Sequence, residues 1–92
     1  MLEKERQLLA SARKGCVDAF EELIAPYAAG IYNLMLKTAG NEFEASLLAQ
    51  DVFVRVFELL ISGDFRGGLA FNIYKSAGEI SRRAAGKTRM IS

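Results

Sequence analysis

The chain has no histidine and no tryptophan, and only one cysteine and one proline in 92 residues. The missing histidine removes the commonest general base and metal ligand. One thiol with scattered carboxylates makes no zinc ligand set, and Cys16 alone closes no internal disulfide. With no histidine to activate it, Cys16 reads as a small residue at a helix start rather than a nucleophile. There is no Walker-type loop. Gly67-Gly68 after Arg66 could form a small anion-binding nest, but reads more simply as the end of a turn. Neither an enzyme nor a bound metal or cofactor is expected. No run of about 18 apolar residues is present, which excludes a helical membrane span. The charged start, Met1 to Gln7, lacks the apolar stretch of a secretory signal, so the cytoplasm is the expected compartment.

What is present is a hydrophobic fraction of 51%, enough for a core in a chain the size of one small domain. Residues 1–92 are read as a single domain. The scarcity of proline, the glycines placed mostly at joints and the lack of strand alternation favour an all-α fold of about four helices. The net charge of +1 conceals a division. Residues 1–61 carry 6 Lys/Arg against 9 Asp/Glu, a balance of −3, and residues 62–92 carry 6 against 2, a balance of +4. An acidic front and a basic tail suggest two kinds of contact surface, the tail being suited to phosphates. A solvated C-terminus is the simpler alternative.

Punctuation marks out the helices. The first is expected from about Leu2 to Arg13, with Leu2, Leu8, Leu9 and Ala12 as a thin apolar side and Lys14-Gly15 as its stop. The second begins near Cys16–Asp18, with acid in its first turn to suit the helix dipole. Pro26 predicts a kink or short break before the helix resumes to Ala39. Gly40-Asn41 closes that element and caps a third helix reaching about Ile61. Ser62 to Gly68 reads as a loop. A last helix is expected from about Phe71 to Ala85, interrupted or weakened at Gly78, with fraying beyond Gly86.

The third helix is the most informative element. Between Val52 and Ile61 its only charges are Arg55 and Glu58, so its apolar surface exceeds the stripe of an ordinary surface helix. In so short a chain there is little protein to surround it. It either meets several neighbours or offers part of its surface to a partner, and self-association into a homodimer is one such arrangement. Gln50-Asp51, polar neighbours inside an apolar helix, mark its open side.

Short blocks line up in order along the chain: Ala12-Arg-Lys-Gly15, Asp18-Ala-Phe-Glu-Glu-Leu23, Tyr27 and Ile31-Tyr32. They continue with Gly40-Asn41, Glu44-Ala45, Gln50-Asp-Val-Phe-Val-Arg55, Phe65-Arg-Gly67, Ile73-Tyr-Lys75 and Arg82-Arg83. Over about residues 8–85 this pattern resembles region 2 of the bacterial RNA polymerase sigma factors, in the extracytoplasmic-function branch. The resemblance implies an all-helical transcription-initiation domain with two duties. One face of the long helix would dock on the clamp helices of the largest subunit of core RNA polymerase, through Glu44, Leu47, Gln50, Asp51, Arg55 and Glu58. The following loop and last helix would recognise the melted minus-ten strand of promoter DNA. There Phe65, Phe71 and Tyr74 are candidates for stacking, Asn72 for a base edge, and Lys75, Arg82 and Arg83 for phosphates, with Arg66 a further DNA-binding candidate.

Relatives usually carry acid where this chain has Ser46 and Leu47, and are bulky or basic at Gly78 and Glu79. The segment between Phe65 and Ile73 is about two residues short of theirs. These departures support a rival expectation, a sigma-like interaction module that binds an anti-sigma factor or another regulator without reading DNA. The resemblance accounts for one helical domain of a sigma factor, which makes the chain either an excised fragment or a free-standing domain.

Overall fold

The computed structural model describes the backbone of residues 2–91 and the side chains of residues 3–86. Within them the chain forms four helices and no strand: α1 Leu2–Arg13, α2 Val17–Ala39, α3 Glu42–Ser62 and α4 Leu69–Ile91. The expected all-α architecture holds, and the joints fall where the punctuation places them. Gly40 and Gly63 each end a helix in the left-handed conformation, and their N–H groups return to the carbonyls of Leu36 and Leu59. A side chain at either position would meet the Cβ clash that glycine avoids. Asn41 caps α3, its Oδ1 accepting from the Glu44 N–H at 2.9 Å.

Three local expectations are corrected. α2 runs through Pro26 without interruption. Proline removes the bond to the carbonyl of residue 22, but Glu22 and Pro26 both lie on the exposed side, where water can take that carbonyl. α4 likewise passes through Gly78 and continues to Ile91, rather than fraying after Gly86. It also begins two residues early, because the Asn72 N–H reaches the Gly68 carbonyl at 3.2 Å and closes a turn ahead of Phe71.

α3 is the hub. It packs against all three other helices, whereas among the described residues α1 touches α2 and α3 but not α4. Its inner line of Ala45, Ala49, Val52, Val56 and Leu60 repeats at helical spacing and is buried. Facing it are Phe20, Leu23, Ile31 and Met35 of α2, and Leu69, Ile73, Ala77 and Ile80 of α4. The Phe20 and Phe57 rings meet at 4.8 Å. α4 lies beside the second half of α2 and runs in the same direction. Tyr27 meets Tyr74 edge-on at 6.4 Å, and the hydroxyls of Thr38 and Ser81 are 2.7 Å apart.

Candidate interaction surfaces

Opposite its buried line, α3 remains open along its whole length. Phe43, Leu47, Val54 and Ile61 are exposed by 74%, 47%, 48% and 54%. At about 100° per residue these positions fall within roughly 60° of arc, and exposed Gln50 falls among them. Beside this apolar stripe runs a second, acidic one. Glu44, Asp51 and Glu58 recur every seventh residue and are all exposed. The expected polymerase-facing residues Glu44, Leu47, Gln50, Asp51 and Glu58 therefore share one side of one helix. Composition found the excess apolar surface but not Phe43, Val54 and Ile61. The 4- and 7-residue spacing that joins them to Leu47 was the available signal.

Arg55 lies at the border of this face. Its guanidinium reaches across to α4 and pairs with Glu79 at 3.0 Å, both side chains being partly exposed. Beside the pair, α3, α4 and the end of α2 bound an open groove of about 600 Å³ whose walls include Glu44, Asp51, Glu58, Leu48, Ile80 and Arg83. Arg83 thus stands among the α3 carboxylates rather than with Arg82. Arg82, one residue earlier, is exposed and lies over Gly78, where an added Cβ would sit 3.6 Å from its guanidinium nitrogen. The 100° step between neighbouring positions sends two adjacent arginines to different surfaces.

The loop from Ser62 to Gly68 is tied down by its own polar groups. The Ser62 hydroxyl bonds the Asp64 carboxylate at 3.2 Å, and the Arg66 guanidinium donates to the Gly63 carbonyl at 3.1 Å. Phe65, 7% exposed, belongs to the core, and the Arg13 guanidinium lies 5.7 Å from its ring centre. Asn72, 5% exposed, donates its amide to the carbonyls of Arg66 and Gly68, each at 2.7 Å. Both residues, expected to meet bases, are here engaged in holding the loop. For Asn72 its place on α4 accounts for this: residues 69, 72, 73, 76, 77 and 80 form the buried side of that helix.

The remaining expected nucleic-acid residues sit together. Phe71 and Tyr74 are 61% and 52% exposed, the Lys75 ammonium lies 6.0 Å from the Phe71 ring centre, and Arg82 follows along the same open side. Arg66 is exposed at the loop. The side chains of Lys87 and Arg89, counted in the basic tail, lie outside the described residues. Sequence reasoning did not assign Tyr27, whose ring supports Tyr74 from α2, or Arg13, which covers Phe65. Contacts between distant elements leave no periodic signal.

Comparison with known proteins agrees with the resemblance. The chain is 31% identical over 77 residues to the ECF RNA polymerase sigma factor SigW of Bacillus subtilis, which covers 84% of this chain and 40% of that protein. It is 32% identical over 69 residues to the RNA polymerase sigma-H factor of Pseudomonas aeruginosa, which covers 75% of this chain and 35% of that protein. The chain thus spans less than half the length of the curated relatives it matches. No protein-family profile and no solved structure matches it. No described helix is long and apolar enough to cross a membrane.

Proposed function

We propose that this chain, a sigma-factor-like domain of the extracytoplasmic-function branch, serves transcription initiation by binding core RNA polymerase through the outer side of α3. In this reading the clamp helices of the largest subunit lie along that side, and α4 helps to recognise and melt the minus-ten promoter element. The observation that carries the first half is the continuous exposed stripe Phe43, Leu47, Val54 and Ile61, flanked by Glu44, Asp51 and Glu58. Apolar contact supplies the area, and the carboxylates select a partner helix with basic flanks.

The charge pattern argues against an antiparallel homodimer along the same stripe. In an antiparallel pairing of two α3 helices, each acidic line would face its own copy, with Asp51 opposite Asp51 and Glu44 opposite Glu58. Like charges so placed repel, so the stripe favours a different, basic partner.

For the second half, support comes from the exposed aromatics and cations of α4. Phe71 and Tyr74 offer faces for unstacked bases, a contact worth about 1–3 kcal/mol per base, against a cost of a few kcal/mol for turning a base out. Lys75 and Arg82 stand near them for phosphates. Phe65 and Asn72 contribute as residues that set the shape of the loop.

The direct experiment is titration of the purified chain against the isolated clamp coiled coil, with Asp51→Arg as control. Binding is expected, and the substitution is expected to weaken it by about 2–5 kcal/mol if Asp51 is buried against a cation. Unchanged affinity would remove Asp51 from the interface.

A second reading, a sigma-like module that binds an anti-sigma factor or other regulator without reading DNA, is favoured by one observation. Leu47 adds apolar surface in the middle of the docking side, which suits a less charged partner. Failure of the chain to bind single-stranded DNA at moderate salt would select it.

A further inference from the structure

We infer that the single-strand track does not stop at α4 but crosses onto the second half of α2, where Tyr27 and Lys37 extend it. The inference rests on the nucleic-acid reading of α4 and adds a strip of surface that this reading does not include. α2 and α4 run side by side in the same direction, joined by the Tyr27–Tyr74 ring contact at one end and the Thr38–Ser81 hydroxyl pair further along. Tyr74 therefore sits on the seam between the helices rather than on α4 alone. Next to its hydroxyl, α2 carries Gly30, where an added Cβ would be 3.8 Å from that oxygen. The absent side chain leaves the floor beside Tyr74 open. One and two turns on, Leu34 is 38% exposed and Lys37 is exposed, with no ion pair among the described residues.

The charge distribution identifies the occupant. From Leu23 to Asn41 the sequence contains no aspartate or glutamate. α4 contains one, Glu79, at the border towards α3, and its carboxylate is held at 3.0 Å by Arg55 of that helix. The face formed by α2 and α4 thus carries Lys37, Lys75 and Arg82 and presents no free carboxylate. A surface of exposed rings and cations without acids fits a single strand of nucleic acid: rings take bases, cations take phosphates, and nothing repels the backbone. Glu79, which in the sequence stands as an obstacle to phosphate, is removed from the face by its partner.

The test is a salt titration of the full chain binding a single-stranded oligonucleotide that carries 2-aminopurine, whose fluorescence falls on stacking. Wild type is compared with Lys37→Ala, with Lys75→Ala/Arg82→Ala, and with Lys4→Ala, which alters a lysine paired with Glu22 away from this face. Lys37→Ala is expected to lower the slope of log affinity against log salt by about 0.7, the value for one lost phosphate contact on a single strand. Lys4→Ala is expected to leave the slope unchanged. Tyr27→Leu is expected to reduce quenching of the stacked base while Tyr27→Phe retains it, with thermal melts confirming that both variants fold. If the α4 pair changes the slope and Lys37→Ala does not, the track is confined to α4 and the inference fails while the reading beneath it stands. If wild type does not bind the oligonucleotide, the reading and the inference fall together.

Discussion

Two phenylalanines separate folding from docking. Phe43 is 74% exposed at the start of α3, whereas Phe65 is 7% exposed and anchors the loop after it. A phenylalanine ring buries on the order of 150–250 Å², so Phe43 leaves roughly 150 Å² in water. At ~25 cal/mol per Å², complete burial of that area would be worth ~4 kcal/mol, and one-sided contact with a partner helix about half as much. Phe43→Ala is therefore expected to weaken clamp binding by ~2 kcal/mol, or roughly 30-fold, and to change folding stability by less than ~0.5 kcal/mol. Phe65→Ala is expected to cost ~3–5 kcal/mol of stability, a large share of the ~5–15 kcal/mol typical of a domain. That corresponds to a fall in Tm of at least ~10 °C. Urea or thermal unfolding measures one consequence, and calorimetric titration against the clamp coiled coil measures the other. A Phe43→Ala protein that loses more than ~1 kcal/mol of stability would show that this ring packs within the domain. One that folds normally and binds with wild-type affinity would refute the assignment of the α3 stripe as the docking surface.

Two further substitutions test the loop and the last helix. Asn72→Ala removes both amide bonds to the loop carbonyls of Arg66 and Gly68 and is expected to cost ~1–3 kcal/mol, with faster hydrogen exchange in residues 62–68. Unaltered exchange there would mean the loop is held by Phe65 alone. Gly78→Ala is expected to raise stability by ~1 kcal/mol, because α4 is helical there and the new methyl meets only the Arg82 side chain, at an ordinary 3.6 Å. A loss of stability on chemical denaturation would show that the glycine is needed for packing.

The helix order and most boundaries were legible because they depend on local chemistry. Gly15, Gly40, Asn41 and Gly63 act within one turn of themselves, so sequence suffices to place them. Pro26 misled for a related reason. Its local cost is real, but whether it breaks a helix depends on whether water can reach the orphaned carbonyl, which is a property of the assembled fold. Faces were legible only in part. Phe65 and Phe71 flank the same loop and look equivalent in sequence, yet 5 residues of loop and helix separate a core anchor from an open ring. Arg82 and Arg83 look like one basic pair, and the 100° step between them divides it. The residue type of Asn72 allows a base-reading amide, but its amide already has two partners in the loop. Tyr27 and Arg13 became visible only through the elements they touch.

The division between Arg82 and Arg83 has a consequence for encounter. α4 is a wall about 10–12 Å thick, with a carboxylate-lined groove on one side and a carboxylate-free, cationic face on the other. At physiological ionic strength the screening length is ~8 Å, so each side is largely hidden from the other. The chain's net charge of +1 therefore says little about how it meets a partner. What matters is a dipole across the domain, which turns the molecule on approach so that a polyanion and a cationic helix each meet the side of opposite sign. Association with either partner should slow as salt is raised, and a single formal charge gives no hint of that behaviour.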